Sequence, residues 1–115
     1  NIYLMMINIY LLCAEINGEK LHKIGYTKRS IEERIKEFKT GNASDFYIID
    51  SFRSKWGTKI EAQLHKTFKQ KRVRGEWFNL TDEDLLSFKE KCQILHDNFE
   101  IISNNNTYYL DKGSF

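Results

Sequence analysis

From Asn8 to Ile16 the chain reads Asn-Ile-Tyr-Leu-Leu-Cys-Ala-Glu-Ile, a short apolar run of the kind a buried strand requires. Asn17-Gly18 follows, a dipeptide suited to the tight turn of a hairpin, and residues 20–26 return as a second strand, so the pair is predicted to be antiparallel. Ser30 with Glu33 three positions on forms a capping box. Ile31, Ile35 and Phe38 supply the apolar stripe of a first helix, which Gly41-Asn42 ends. Residues 46–52 read as a third strand, expected to be central in the sheet. Ile60, Leu64 and Phe68 recur every four residues and mark a second helix over residues 58–69. Arg72 to Gly75 reads as a basic loop, with Trp77 and Phe78 re-entering the core after it.

Thr81 is placed to cap a third helix whose first turn carries Asp82, Glu83 and Asp84, where the helix dipole favours negative charge. Leu85, Phe88, Cys92 and Leu95 form its stripe. Phe99–Ser103 and Thr107–Leu110 flank three asparagines, and a short C-terminal hairpin is one reading of that segment. The pattern predicts an α+β fold: a small, mainly antiparallel three-stranded sheet flanked by helices, in the order β-β-α-β-α-α. One domain over residues 8–98 with an extension over 99–115 is expected, since 115 residues suffice for one core and no proline-rich or glycine-rich linker divides them.

Composition narrows the class. At 41% hydrophobic and 14% aromatic, the chain is rich enough to pack an interior rather than stay disordered. Cys13 and Cys92 fall inside apolar elements with no partner at ligand spacing, which points to buried free thiols, a reducing intracellular setting and no zinc site. The apolar run from Ile2 to Ala14 lacks a basic start, is interrupted by Asn8 and is too short to span a bilayer, so a core strand is the better reading and no membrane partner is expected.

Charge is divided unevenly. Residues 20–74 hold fifteen Lys/Arg against six Asp/Glu, a balance of +9, whereas residues 75–115 hold three against eight, a balance of −5. Such a split suits contact with a polyanion. Lys28, Arg29, Arg72 and Arg74 are the expected phosphate contacts within the basic part.

Four positions stand out for chemistry. Tyr10 and Lys23 lie on the two hairpin strands. Arg34 interrupts the apolar stripe of the first helix, where a guanidinium either snorkels out or finds a partner in a cleft. Glu61 is the single acid between Asp50 and Glu76, beside Ile60 on the buried side of the second helix. A lone carboxylate there suits a hard divalent cation, which takes few protein ligands when phosphate oxygens supply the rest. Ion pairing with nearby residues is the structural alternative for Glu61 and for Arg34.

Taken in order, these residues resemble a known family. Asn8-Ile9-Tyr10 and Lys23-Ile24-Gly25-Tyr26-Thr27 are similar to the paired strand motifs of GIY-YIG nucleases, in a phage, viral and bacterial branch with a Lys-Ile-Gly second motif. Glu33-Arg34-Ile35 resembles the family's helix arginine, Glu61 to Phe68 its metal-ligand helix, and Arg74-Gly75-Glu76-Trp77-Phe78 its closing segment. Asn8 stands in place of a glycine, Lys23 where many members have a second tyrosine, and Phe38 where some have a histidine.

The resemblance implies a one-metal DNA endonuclease that uses Mg²⁺ or Mn²⁺ and no small-molecule cofactor. Tyr10 would orient or deprotonate water, with its pKa lowered by neighbouring cations. Glu61 would hold the metal, Arg34 would donate to the phosphate, and Lys23 would add a point charge. Tyr26, His22, His65 and Asn79 are auxiliary candidates. Tyr26, Trp56 and Trp77 are aromatics able to stack on bases, with core packing favoured for Trp77. The competing class is a non-catalytic nucleic-acid-binding module on the same fold, and a third is a protein-interaction domain using the acidic C-terminal helix. If the +9 stretch binds phosphates, log K for DNA should fall linearly and steeply with log salt concentration. A flat salt dependence in a fluorescence-anisotropy titration would reduce that stretch to a solvated face.

Overall fold

The computed structural model describes residues 6–41 and 45–105. Strands β1 (Ile7–Ile16) and β2 (Glu19–Thr27) form the predicted hairpin. Its turn places Asn17 at φ 52° and Gly18 at φ 82°, the left-handed pair that a two-residue turn needs and that Asn-Gly supplies with least strain. Helix α1 (Ile31–Gly41) follows, opened by a hydrogen bond from the Glu33 amide to Ser30 Oγ at 3.2 Å. Next come β3 (Phe46–Ser54) and α2 (Gly57–Thr67), then a single 3₁₀ turn over Lys69–Lys71. A short hairpin of β4 (Arg72–Arg74) and β5 (Trp77–Phe78) leads into α3 (Asp82–Leu86) and α4 (Phe88–Asn105).

The described residues form an α+β fold, with five antiparallel strands in the order β3-β1-β2-β5-β4 and four helices. Three strands were predicted; the extra two are three and two residues long, too short for alternation to register in a sequence. What reads as a basic loop followed by core aromatics is this edge hairpin. β3 lies at an edge rather than at the centre. Among the three long strands the middle place goes to β1, between β3 and β2, and its residues from Ile9 to Ala14 are all buried, as a strand covered on both faces must be. A bulge sets Leu11 opposite Asp50 and Leu12 opposite Ile48, leaving Ile49 as the extra residue.

Helices cover the two faces unequally. On one face Ile9, Leu11, Ile24 and Phe78 pack with Ile60 and Leu64 of α2 and with Phe88 and Cys92 of α4. On the other, Tyr10, Leu12 and Ala14 meet Ile31 and Phe38 of α1, with Phe46, Ile48 and Trp77 alongside. Cys13 and Cys92 are both buried and unpaired, and burial pushes the Cys92 thiol up to about 12.

Thr81 caps α3 as expected: its hydroxyl accepts from the Asp84 amide at 3.1 Å, and Asp84 Oδ2 accepts from the Thr81 amide at 2.9 Å. One helix was predicted from there on, but the chain breaks at Ser87 into α3 and α4. The expected C-terminal strand Phe99–Ser103 is helical. The stripe Phe88, Cys92, Leu95 continues to Phe99, which packs against Trp56 with ring centroids 6.2 Å apart, and Glu100 pairs with Lys55 at 2.9 Å. The boundary placed after residue 98 therefore falls inside α4, and the other expected hairpin arm, Thr107–Leu110, lies outside the described residues. Among the described residues no helix is long and apolar enough to cross a membrane.

Phe78 joins the edge hairpin to the main core. It is fully buried, edge-on to Phe68 at 6.4 Å and to His65 at 4.9 Å. Phe78→Ala should lower unfolding free energy by about 3–5 kcal/mol, the range for a large aromatic truncated in a core. Urea denaturation followed by circular dichroism reads this; a loss under about 1 kcal/mol would mean that the β4–β5 hairpin is not part of the core.

Candidate functional site

The hairpin register places the first residues of the site. Tyr10 lies opposite Gly25 and Leu12 opposite Lys23, so Tyr10 and Lys23 share the sheet face that α1 covers. The Tyr10 phenol lies directly over Gly25. A Cβ at residue 25 would stand 2.5 Å from Tyr10 Oη and 2.7 Å from Tyr10 Cζ, closer than atoms can approach, so only glycine leaves room for the ring.

Helix α1 brings in the arginine. Arg34 Nε donates to Tyr10 Oη at 3.4 Å, and Arg34 Nη1 lies 3.1 Å from Glu37 Oε1. Phe38, one turn along, forms an apolar platform for the cations. The Arg34 guanidinium carbon lies 4.7 Å from its ring centroid, Lys23 Nζ lies 5.3 Å from it, and Tyr10 meets it edge-on at 6.3 Å. Phe38 therefore offers an aromatic face that attracts positive charge.

Helix α2 supplies the acid. β5 is only two residues long, so β2 runs on past its last strand pairing at Lys23. The next two backbone groups find other partners: the Ile24 amide donates to the Glu76 carbonyl at 3.2 Å, and the Ile24 carbonyl accepts from His65 Nε2 at 2.8 Å. This bond fixes one turn of α2 against the edge of β2. Glu61 lies one turn earlier, buried, with Oε2 3.6 Å from His65 Nε2.

Glu76 is the site residue that sequence reasoning missed. In the sequence it stands only as part of the closing segment, yet the β4–β5 turn swings its carboxylate to 3.1 Å from Lys23 Nζ and over Gly25 beside Tyr10. The one signal in the sequence was its place in a Gly-Glu pair directly before the aromatics. Glu76 and Glu61 act on each other, and both act on Tyr10, through space. Tyr10, Lys23, Arg34 and Glu61 thus gather at one place, with Glu76 as a fifth member.

The auxiliary candidates fall elsewhere or serve other ends. His22 points to the opposite face, where its Nδ1 accepts from the Leu80 amide at 3.2 Å; burial lowers its pKa and keeps it neutral. His65 holds the backbone of β2 and is not an idle base. Tyr26 follows Gly25 on β2 and is 41% exposed. Asn79 is exposed and tied through its backbone to Lys71, with no hydrogen bond to the four gathered residues among those described. Of the expected phosphate contacts, Lys28, Arg72 and Arg74 are exposed, and Arg29 is exposed but paired with Glu37.

Burial rather than neighbouring cations governs the titration of Tyr10. Desolvation raises its pKa above the ordinary value, and Glu76 and Glu61 add to the rise, against the lowering influence of Arg34. The expectation of a depressed phenol is thereby corrected: in the unliganded protein Tyr10 is a neutral phenol. Burial likewise raises Glu61, with Glu76 adding to the effect and His65 and Lys23 opposing it.

A buried carboxylate whose one ionic neighbour within 4 Å, among the described residues, is a histidine committed to a backbone carbonyl suits a cation from outside. The donors at hand are carboxylate oxygens, and no group of three His, Cys, Asp or Glu side chains gathers among the described residues. That set fits a hard ion held chiefly by water and phosphate, such as Mg²⁺ or Mn²⁺, rather than a zinc cage.

A family model described as the T5orf172 domain matches residues 7–93, which spans every residue of this constellation. No curated protein and no solved structure gives a significant match.

Two expectations follow from the geometry. Gly25→Ala should destabilise the fold by about 1–3 kcal/mol, the usual result of forcing a methyl into filled space. In a Tyr10→Ala background the same change should be nearly neutral, and additive losses in that double-mutant cycle would show that the two residues do not touch. Because the Glu61 pKa is raised, the unfolded chain ionises first and this residue's contribution falls as pH rises through the folded value. Glu61→Gln should therefore gain stability over wild type on going from about pH 4 to about pH 7 in metal-free buffer; a gap that shrinks with rising pH would reverse the assignment.

Proposed function

The chain belongs to the T5orf172 domain family, a phage-associated domain related to nuclease-type folds, and from that premise we propose that it is a divalent-metal-dependent DNA endonuclease. The observation that carries the reading is the meeting of Tyr10, Lys23, Arg34 and Glu61 around Gly25, at the edge where β2 outruns β5. A phenol, two cations and one buried carboxylate are the groups that hydrolysis of a phosphodiester calls on.

Arg34 lies beside the phenol with a forked cation suited to phosphate oxygens, and Glu37 fixes its orientation. Lys23 adds a compact positive charge, held between the Phe38 and Trp77 rings and checked by Glu76. Incoming phosphate displaces the Glu76 carboxylate from Lys23, since both anions seek the same ammonium. Positive charge gathering around the phenol favours its ionised form; Tyr10 then gives its own proton to solvent, and the phenolate Oη holds the attacking water and accepts its proton. Glu61 would be the protein's principal ligand to Mg²⁺ or Mn²⁺, which when bound supplies Lewis acidity toward the phosphate. The exposed cations Lys28, Arg72 and Arg74 extend the contact along the backbone of the DNA.

Supercoiled plasmid incubated with and without Mg²⁺ or Mn²⁺ tests the reading. Glu61→Ala should abolish nicking while DNA binding persists or tightens, because one negative charge is gone. Tyr10→Phe should lose about 10²–10⁴-fold in rate, the contribution of a positioned general base, with fold and binding intact. Wild-type protein that binds DNA without cutting it under any divalent ion would leave the binding-module alternative in its place.

A further inference from the structure

Among the described residues, the sheet face that carries Tyr10 and Lys23 is not fully covered. Beyond the end of α1 lies a cavity of about 200 Å³, several times the ~30 Å³ that one water occupies in the liquid. Its floor is Leu12 and Ala14 of β1, and its walls are the rings of Phe38, Phe46 and Trp77. Arg74, exposed on the edge strand β4, stands at its rim. All three aromatics are only half-buried, and Phe38 meets Phe46 edge-on at 5.5 Å. Trp77 was expected to be a core residue, yet one side of its ring faces this opening.

The cavity adjoins the catalytic groups. Phe38 belongs to both, and Lys23 Nζ sits at the boundary, 5.3 Å from the Phe38 centroid and 5.6 Å from that of Trp77. An anion held at Lys23 therefore has an aromatic-walled space on one side and the Tyr10–Arg34 pair on the other. A second cation, Arg74, guards the far rim. Aromatic walls between two cations complement a nucleotide, whose base is planar and apolar on its faces and whose flanking phosphates are negative. A duplex base, stacked and paired, cannot reach such a recess without leaving the helix.

We infer that this cavity receives an unpaired DNA base next to the phosphate held at Lys23, so that the preferred substrate is single-stranded or locally unpaired DNA. The inference rests on the nuclease reading for the identity of the polyanion and is tested without cleavage. Trp56→Phe protein keeps Trp77 as its single indole. In EDTA buffer it is titrated with a short single-stranded DNA oligonucleotide, the fully paired duplex of the same sequence, and a single strand abasic at every position.

The single strand should quench Trp77 emission, and the duplex and abasic strand should do so far less. Phe46→Ala should weaken single-strand binding by about five- to a hundredfold, the loss expected for one stacked base, and leave duplex binding essentially unchanged; Trp77→Ala, read by anisotropy, should weaken single-strand binding by more than it weakens duplex binding, since its ring also flanks Lys23. Circular dichroism confirms that both variants are folded, and Phe46→Ala decides the matter if Trp77→Ala is not. Equal quenching by all three probes, or none, overturns the inference, as does an abasic strand that binds as tightly as the normal one. A protein that nicks plasmid but shows no selective quenching loses this site alone. One that quenches selectively but never cuts keeps the site and loses the nuclease reading.

Discussion

The contact on which the site depends is the Tyr10 ring lying over Gly25. It exists because the β1–β2 register sets these residues opposite one another, and the Asn17-Gly18 turn fixes that register. A slip of one residue would send Tyr10 into the core around Ile24 and bring an aliphatic side chain to Arg34. Glycine at 25 lets the phenol lie flat on β2, which puts its oxygen within reach of α1 and under the Glu76 carboxylate. Turn chemistry, sheet register and one missing side chain together position a functional group.

Burial is the other recurring constraint. Tyr10 and Glu61 both sit where their charged forms are disfavoured, and each is raised above its ordinary pKa for that reason first. The carboxylates Glu61 and Glu76 are set against the cation Lys23. Such an arrangement stores unfavourable electrostatics that a ligand of complementary charge relieves, a common trade of stability for function. The Phe38 face makes it tolerable for Lys23 and Arg34 to stand close together with no acid on α1 other than Glu37 directly paired to Arg34.

The edge hairpin has a part larger than its five strand residues suggest. Trp77 and Phe78 take opposite faces: Phe78 closes the main core, and Trp77 walls the cavity beside Lys23. Because β5 stops after two residues, β2 keeps an unpaired backbone carbonyl, and His65 of α2 takes it. The shortness of one strand is thus what brings the Glu61 helix to the site. α4, far from the chemistry, supports the other side of the sheet through Phe88, Cys92 and the Ser54–His96 bond at 2.7 Å.

Local chemistry alone determined the first hairpin, the Ser30 cap on α1, the four-residue stripe of α2, the Thr81 cap and the burial of both cysteines. Each of these is a short-range matter of turn preference, capping or periodicity, and is written within a few residues. The resemblance of ordered motifs named Tyr10, Lys23, Arg34 and Glu61 as a group, though no spacing could show that they meet. Tertiary structure alone decided the rest. A two-residue strand has no period, so β4 and β5 were invisible, and with them the swing of Glu76 onto Lys23. β3 went to an edge because the all-buried β1 lies between it and β2, and Phe99–Ser103 became helix because Trp56 and Lys55 are there to receive Phe99 and Glu100. The phenol's titration was misjudged for the same reason: sequence lists the charges near Tyr10 but not the depth at which they act, and desolvation depends on depth.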